Sequence, residues 1–522
     1  MIGILFMLIG AVIPSGWPML RCNQQRTGYT PGESCFDNMK KKWDFLAQNS
    51  ESDIFYTSPT AADFTLNTQK DILITPKSSG FPMAEVHRGT DGGTIWESSL
   101  QIGGPSFATS ALMDINGDNR PEIFLHSYYD SKFMCLNGTN GSQVWVNNNV
   151  IEGMYSAPLV IESPPTVIVG DDNGVVWSLD ATNGTTVNWS HNIGTYIQPP
   201  SYGDVDGDGT EEIVIVAGVT LYVYEFDGTE IWNANMGDSA TTPMLIDLDA
   251  DPTLEIVVYC YRTGYVKAFN YGNTTPFINT SIGAFTADFS GCEEYVDVWP
   301  PSPAGGDING DGIPDILIHN GGTLFCIRGS DGGIEWQNTQ THLFGSPVIA
   351  NLDKNDYLEI VVTGCPGTDN HRSKIELYDH TGTEKWEWIS PLSGGFPDPI
   401  LNEACLADID NDGRLEIFTI DYSCFMVCLD CEPSGVMETE KAPAPIRLVN
   451  SIFKDKVKLV VPQLCWLEYE IYDIMGRVIE EGRFSQIENT ISISIRKTVG
   501  GVYFLKIKTP TISKTFKLVK LF

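Results

Sequence analysis

The residues best suited to chemistry are the acids of one stretch, Asp204-Val205-Asp206-Gly207-Asp208-Gly209-Thr210-Glu211-Glu212, which runs directly into Ile213-Val214-Ile215-Val216. Carboxylates at alternate positions, a glycine that permits a sharp turn and a further acid would surround a hard cation with oxygens, as calcium requires. An EF-hand loop carries its bidentate Glu at position 12 and sits between helices. Here the last acid stands at position 9 and a β-branched apolar run follows, so the loop precedes a strand. By analogy, side chains at positions 1, 3, 5 and 9 are expected to bind calcium, with the position 7 carbonyl adding an oxygen.

The pattern recurs. Besides Asp204, Asp206, Asp208 and Glu212, the expected ligand sets are Asp114, Asn116, Asp118 and Glu122; Asp247, Asp249, Asp251 and Glu255; Asp307, Asn309, Asp311 and Asp315; and Asp408, Asp410, Asp412 and Glu416. Asn351 to Glu359 is a weaker copy, and the unit opening at Pro158 has lost its loop. Other chemistry is not evident: the chain lacks a G-x-S-x-G elbow, an H-E-x-x-H helix, a P-loop and a Rossmann glycine pattern. His87, His126, His191, His319, His342, His371 and His380 occur singly, as loop or packing residues do.

The elements that position these loops are short strands. Roughly 30 residues after each loop comes a strand, a Gly-bearing turn and a Trp, as in Thr139-Asn-Gly-Ser-Gln-Val-Trp145 and Phe226-Asp-Gly-Thr-Glu-Ile-Trp232. Asn-Gly and Asp-Gly between alternating apolar residues are strong hairpin signals. One copy, near Asn273 to Phe277, is read as having Phe in place of Trp. A Pro opens most units, at Pro59, Pro158, Pro200, Pro243, Pro347 and Pro399, with Pro301 or Pro303 in the remaining interval. A unit of four strands at this period is a β-propeller blade. Eight starts are counted but the last unit holds three strands, so the segment around Lys42-Trp43-Asp44 is expected to complete it and remove an open edge. Eight blades is the first reading and seven the second.

Composition agrees with a folded, strand-rich chain: 522 residues, 50 Gly and 30 Pro punctuate it too often for long helices. A net charge of -35 argues against nucleic acid, which demands Lys and Arg clusters. The apolar run Ile2 to Val12 is too short to span a bilayer and reads as a signal peptide, residues 1–16; nothing else approaches a membrane span. Most of the 12 Cys lie in strand contexts as small buried hydrophobes. Cys22, Cys35, Cys424, Cys428 and Cys431 are the disulfide candidates, and a bridge between the two ends of the ring would lock its seam. Residues 441–522 carry 14 Lys plus Arg against 7 Asp plus Glu, which marks a separate small β-sandwich after a linker at 433–445.

The acidic loop followed by Glu-Ile-Val resembles FG-GAP or VCBS repeats of integrin-type propellers. Trp17-Pro-Met-Leu-Arg-Cys-Asn-Gln-Gln-Arg-Thr-Gly28 and the Gly-turn-Trp ends are similar to pyrroloquinoline-quinone-type repeats. Together these resemblances span residues 17–432 and imply a calcium-binding propeller. In residues 446–522, Ile471-Tyr-Asp-Ile-Met-Gly-Arg477, Gly500-Gly-Val-Tyr-Phe504 and Lys517-Leu-Val-Lys-Leu-Phe522 resemble the C-terminal sorting domain of type IX secretion. That resemblance implies export to the outer surface through the secretion machinery. The resulting expectation is a secreted or surface-anchored module for adhesion to extracellular protein or glycan. The alternative is a polysaccharide lyase-like enzyme, an activity found among similar calcium propellers. His319, His342, His371 and Arg372 are the groups near the long connectors Thr280 to Pro303 and Gly364 to Lys374 that such an enzyme would use.

Overall fold

The computed structural model describes residues 19–33, 39–46, 57–75, 82–100, 108–127, 131–151, 156–287, 299–340, 342–352, 355, 357–367, 372–390, 400–421 and 425–431, and in the C-terminal unit 447–448, 452–453, 456–460, 464–473, 477–487, 490–494, 501–508 and 513–520. The expected signal peptide and linker, with Cys35, Cys292, His371 and Cys424, lie outside them. The chain divides into two compact units at Glu432. All described regular structure is β; among the described residues no helix is long and apolar enough to cross a membrane.

The first unit is a succession of eight antiparallel meanders over 60–97, 111–147, 159–192, 201–235, 244–281, 304–339, 348–389 and 405–431. The fourth sheet shows the logic. Its strands are Ser201–Gly203, Glu212–Ala217, Thr220–Tyr224 and Glu230–Asn235, hydrogen-bonded in chain order. The second strand reads Glu-Ile-Val-Ile-Val-Ala and is buried along its whole length, as a β-branched run covered on both faces must be. The eighth meander contributes only three strands, and Met39–Leu46 pairs antiparallel with Phe425–Cys431 to supply the fourth. The closing strand therefore comes from where the Lys42 region was expected to provide it.

Sheets dock in sequence through the tryptophans. Trp96 Nε1 donates to the Gly138 carbonyl, Trp145 to Ala181, Trp189 to Phe226 and Trp336 to His380, each acceptor lying in the third-to-fourth turn of the following sheet. Trp43 closes the series by donating to Gly89 of the first sheet. This docking explains the turn glycines. A Cβ on Gly184 would stand 2.2 Å from the Trp145 ring, and one on Gly228 2.5 Å from Trp189, at positive φ in both cases. Two residues beyond the Trp, a polar side chain donates to the same turn: Asn147 to the Gly184 carbonyl, Asn338 to Gly382 and His191, through Nε2, to Gly228.

One expectation needs correction. Phe277 is not the substitute for Trp in the fifth sheet. It is 41% exposed, whereas the neighbouring Ile278 is buried over Gly332 and Thr280 makes the companion hydrogen bond to the Gly332 carbonyl. The aliphatic residue takes the docking position because the strand begins there, at Ile278–Ser281. Of the seam disulfide candidates, Cys35 and Cys424 lie outside the described residues, as does the side chain of Cys431. Cys22 and Cys428 share one core with Cys405, but all three are buried thiols, while Cys365 is disulfide-bonded.

The largest feature not expected from sequence is axial. Residues Met19 to Gly28 run between the innermost strands and bond to them one sheet after another: Tyr202 N–H to the Gln24 carbonyl, Leu245 to Gln25, Gly305 to Thr27 and Ile349 to Gly28. Tyr29–Glu33 then pairs parallel with Val348–Asn351. Arg21 and Arg26 are each 1% exposed. Arg21 donates to the carbonyls of Pro347 and Pro303 and pairs with Glu403 at 2.9 Å. Arg26 donates to the carbonyls of Pro200, Pro158 and Leu20. The prolines that open the units thus lack an N–H to satisfy, and their carbonyls face the axis where the two guanidinium forks, with several donors each, collect them.

In the C-terminal unit a three-stranded sheet holds Lys456–Val460 between Arg447–Leu448 and Thr490–Ser494. A five-stranded sheet places Gly501–Lys508 between Ser513–Lys520 and Leu464–Asp473, with Val478–Ile487 at one edge. Tyr503, Leu505 and Ile507 are buried while Phe504, Lys506 and Lys508 are exposed, the period of two of a one-sided sheet.

Candidate functional site

Each acidic loop connects the first and second strands of its sheet, and the position 9 acid is the first residue of the buried second strand. Burial there forces a specific arrangement. Glu212 Oε2 accepts from the Val205 N–H at 2.9 Å, and Glu255 Oε2 from Leu248 at 2.6 Å. Their Oε1 atoms are buried and have no partner. Burial, reinforced by the loop aspartates, pushes both carboxyls up to about 7. A buried carboxylate oxygen left without a donor is costly unless a cation faces it.

The first aspartate winds the loop. Asp204 Oδ1 accepts from Gly207 N–H at 2.7 Å and Oδ2 from Gly209 at 3.1 Å; Asp307 does the same for Gly310 and Gly312. The acids of positions 1, 3 and 9 converge to within 4.8 Å in three loops: Asp204, Asp206 and Glu212; Asp247, Asp249 and Glu255; Asp408, Asp410 and Glu416. The position 5 acids lie outside these groups. Asp118, Asp208, Asp251, Asp311 and Asp412 each accept the N–H two residues on, a local turn bond that fixes the loop.

Where position 3 is Asn, the last acid is satisfied internally. Asn116 Nδ2 donates to Glu122 Oε1 at 2.6 Å, and Asn309 Nδ2 lies 3.4 Å from Asp315 Oδ1. The donor chemistry of the fourth and fifth loops therefore fits a hard divalent cation best. The second and sixth loops fit it only if the Asn oxygen turns inward.

Sequence reading missed one loop of this shape. Asp63-Phe-Thr-Leu-Asn-Thr-Gln-Lys-Asp71 in the first sheet folds on a related plan: Asp71 Oδ2 accepts from Phe64 N–H, and Asp63 accepts from the N–H groups of Thr65, Asn67 and Thr68. Thr65 Oγ1 donates to the last acid, so hydroxyl and amide groups replace the carboxylates. The visible signal was the nine-residue spacing between Asp63 and Asp71 ahead of Ile72-Leu-Ile.

The described histidines occupy packing and hydrogen-bonding positions. His319 is buried, with Nε2 donating to the Gly345 carbonyl and Nδ1 accepting from Gly321 N–H, which requires the neutral ring. His126 is fully buried, His342 is buried and His380 stacks on Tyr357 at 4.0 Å. Nothing described brings His319, His342 and Arg372 into one site. Burial lowers His319 to about 4 from an ordinary 6.5. Between those values the unfolded chain binds a proton that the folded chain refuses, so stability falls as pH drops through that window. The expected loss is on the order of 3 kcal/mol, read as a lowered urea midpoint at pH 4, and His319→Gln should flatten the profile between pH 6.5 and 4.

Antiparallel meanders sort their connections by end. The acidic loops and the Gly turns leave each sheet at one end, while the second-to-third connections and the sheet-to-sheet crossovers leave at the other. The loops do share a rim: Leu254 N–H donates to the Asp204 carbonyl, Arg120 Nε to Phe64 and Lys70 N–H to Ile409. At the opposite end a depression of about 140 Å³ is lined from all eight units, from Ser58 through Gln198 and Thr241 to Asn402, with Leu20 of the axial segment among its walls. Trp299, at its margin, is 39% exposed.

Comparison with known proteins places both units. Residues 453–521 match the family described as secretion system C-terminal sorting domain. Among solved structures, the chain resembles the V. cholerae biofilm matrix protein Bap1, with 13% identity, a TM-score of 0.52, and coverage of 76% of this chain and 92% of that one. It also resembles a europium-containing methanol dehydrogenase, with 12% identity, a TM-score of 0.52, and coverage of 78% and 90%. At such identities the likeness is one of fold: a propeller-like all-β unit. No curated protein matches the chain. A propeller-like unit thus precedes a type IX sorting domain. The protein is secreted and reaches the cell surface by that route.

Proposed function

We propose that the protein is a surface-displayed binding module, an eight-bladed propeller braced by calcium on one rim and engaging an extracellular protein or glycan on the other. The carrying observation is the separation of the two rims. Asp204, Asp206 and Glu212, Asp247, Asp249 and Glu255, and the weaker sets at Asp114 to Glu122 and Asp307 to Asp315, all lie on the acidic rim, where repetition argues for a bracing role. The unrepeated connectors join strand ends at Ser281 and Ala304 and at Gly364 and Lys374, all on the opposite side of their sheets, and long loops carry function. That end also holds the depression, whose hydroxyl and amide groups stand beside an exposed indole, a mixture suited to sugars or polar peptide. The C-terminal unit, read as a small sandwich, delivers this module to the surface.

An array of extracellular polysaccharides and matrix proteins tests the reading. Wild-type protein is expected to bind a member of the array, and Trp299→Ala combined with Asn402→Ala to reduce that binding at least tenfold. Asp118→Asn on the acidic rim should leave it unchanged. Equal loss in both variants, or binding that survives the double change, would assign the ligand to another surface.

A further inference from the structure

We propose that the eighth acidic loop, Asp408 to Glu416, takes its counter-charge from Lys42 of the closing strand and not from a metal ion. The inference rests on the reading of the other loops as calcium sites and separates this one from them. Lys42 Nζ lies 2.6 Å from Asp410 Oδ2, 2.8 Å from Asp430 Oδ2 and 3.8 Å from Glu416 Oε1. Two of these acids are the position 3 and position 9 groups that elsewhere converge on a cation. In the fourth, fifth and eighth loops alike the matching glutamate Oε1 is buried without a hydrogen-bond partner, but in the eighth the Lys42 ammonium stands within ion-pair distance of it, at 3.8 Å.

The backbone explains why Lys42 reaches the loop. The register of the closing strand shifts between Lys41 and Trp43, which makes Lys42 the extra residue of a β-bulge. A bulge re-aims the side chain it carries. The same shift precedes the docking aromatic in other sheets, where the bulged residue is Ile95, Val144, Asn188, Ile231, Glu335 or Lys385. Of these only Lys385 is cationic, and its ammonium pairs with Asp379 of its own hairpin turn at 2.7 Å. Lys42 is the bulged lysine that enters an acidic loop, with its side chain only 15% exposed. A like charge already seated among the acids repels an incoming divalent cation. The contact also joins residues 368 positions apart, so the loop becomes a metal-independent clasp across the seam.

Calcium stoichiometry of the full chain, by native mass spectrometry and equilibrium dialysis, tests this. Asp410→Asn should leave the wild-type stoichiometry unchanged. Lys42→Met should add one calcium per chain, and Asp410→Asn in that background should remove it. One calcium fewer in Asp410→Asn alone, or no gain in Lys42→Met, overturns the proposal. If Lys42→Met does not fold, amide exchange of the wild type in EGTA decides: 39–46 and 425–431 should keep their protection while 204–212 and 247–255 lose theirs. Parallel loss overturns it. If the wild type binds no calcium, the bracing reading fails on its own. Lys42→Ala, read in EGTA, then decides the clasp: a lower melting temperature supports it and an unchanged one overturns it.

Discussion

Arg21→Met is expected to destabilise the first unit by about 3–5 kcal/mol, because it strands a buried carboxylate. Glu403 accepts both the Arg21 N–H at 2.8 Å and its Nη1 at 2.9 Å, and the two side chains are 1% and 2% exposed. The carbonyls of Pro347 and Pro303 lose their donors in the same step. Arg21→Lys should recover only part, since one ammonium does not match the planar fork that spans three acceptors. The double variant Arg21→Met with Glu403→Leu should recover most of the loss attributable to the unpaired acid, leaving the proline carbonyls as the remainder. Urea midpoints of the four proteins form the cycle. Equal stability of Arg21→Met and wild type would show that the axial segment is not seated in solution.

On the proposed bracing role, removing calcium is the second large effect. A ligand held at a hundred times its dissociation constant contributes about 2.7 kcal/mol per site. Occupancy of the Asp204 and Asp247 loops alone therefore predicts a fall of roughly 5 kcal/mol in EGTA, seen as a lower melting temperature that calcium restores and magnesium does not, because magnesium demands near-ideal octahedral geometry. Glu212→Gln should remove one site's share when calcium is present and change little in EGTA, since the amide oxygen still accepts the Val205 N–H. An unchanged melting temperature on chelation would sink the bracing role.

Strand order and the closing strand were legible because they follow from local rules: β-branched runs, Asn-Gly turns and a unit short of one strand. The acidic loops were legible for the same reason, as nine consecutive residues carry the whole pattern. The first loop escaped because Thr65 and Asn67 hide its spacing behind neutral groups. The axial segment escaped for a different reason. Nothing local to Arg21 or Arg26 says that a fully charged side chain will be buried, because its acceptors are proline carbonyls supplied by strands far along the chain. The thiols at Cys22, Cys405 and Cys428 show the same limit: their proximity follows from closure, but not their redox state.

The axial segment also governs when the ring is finished. Long-range partners of residues 19–28 lie between 132 and 382 positions ahead, and the last of them, Glu403, leads into the final sheet. Such long closures are entropically slow. The earliest described stretch of the chain is thus a keystone set after every other stone. Until the stretch holding Glu403 has joined the other sheets, Arg21 has no carboxylate to pair with and the axial segment lacks its last anchor.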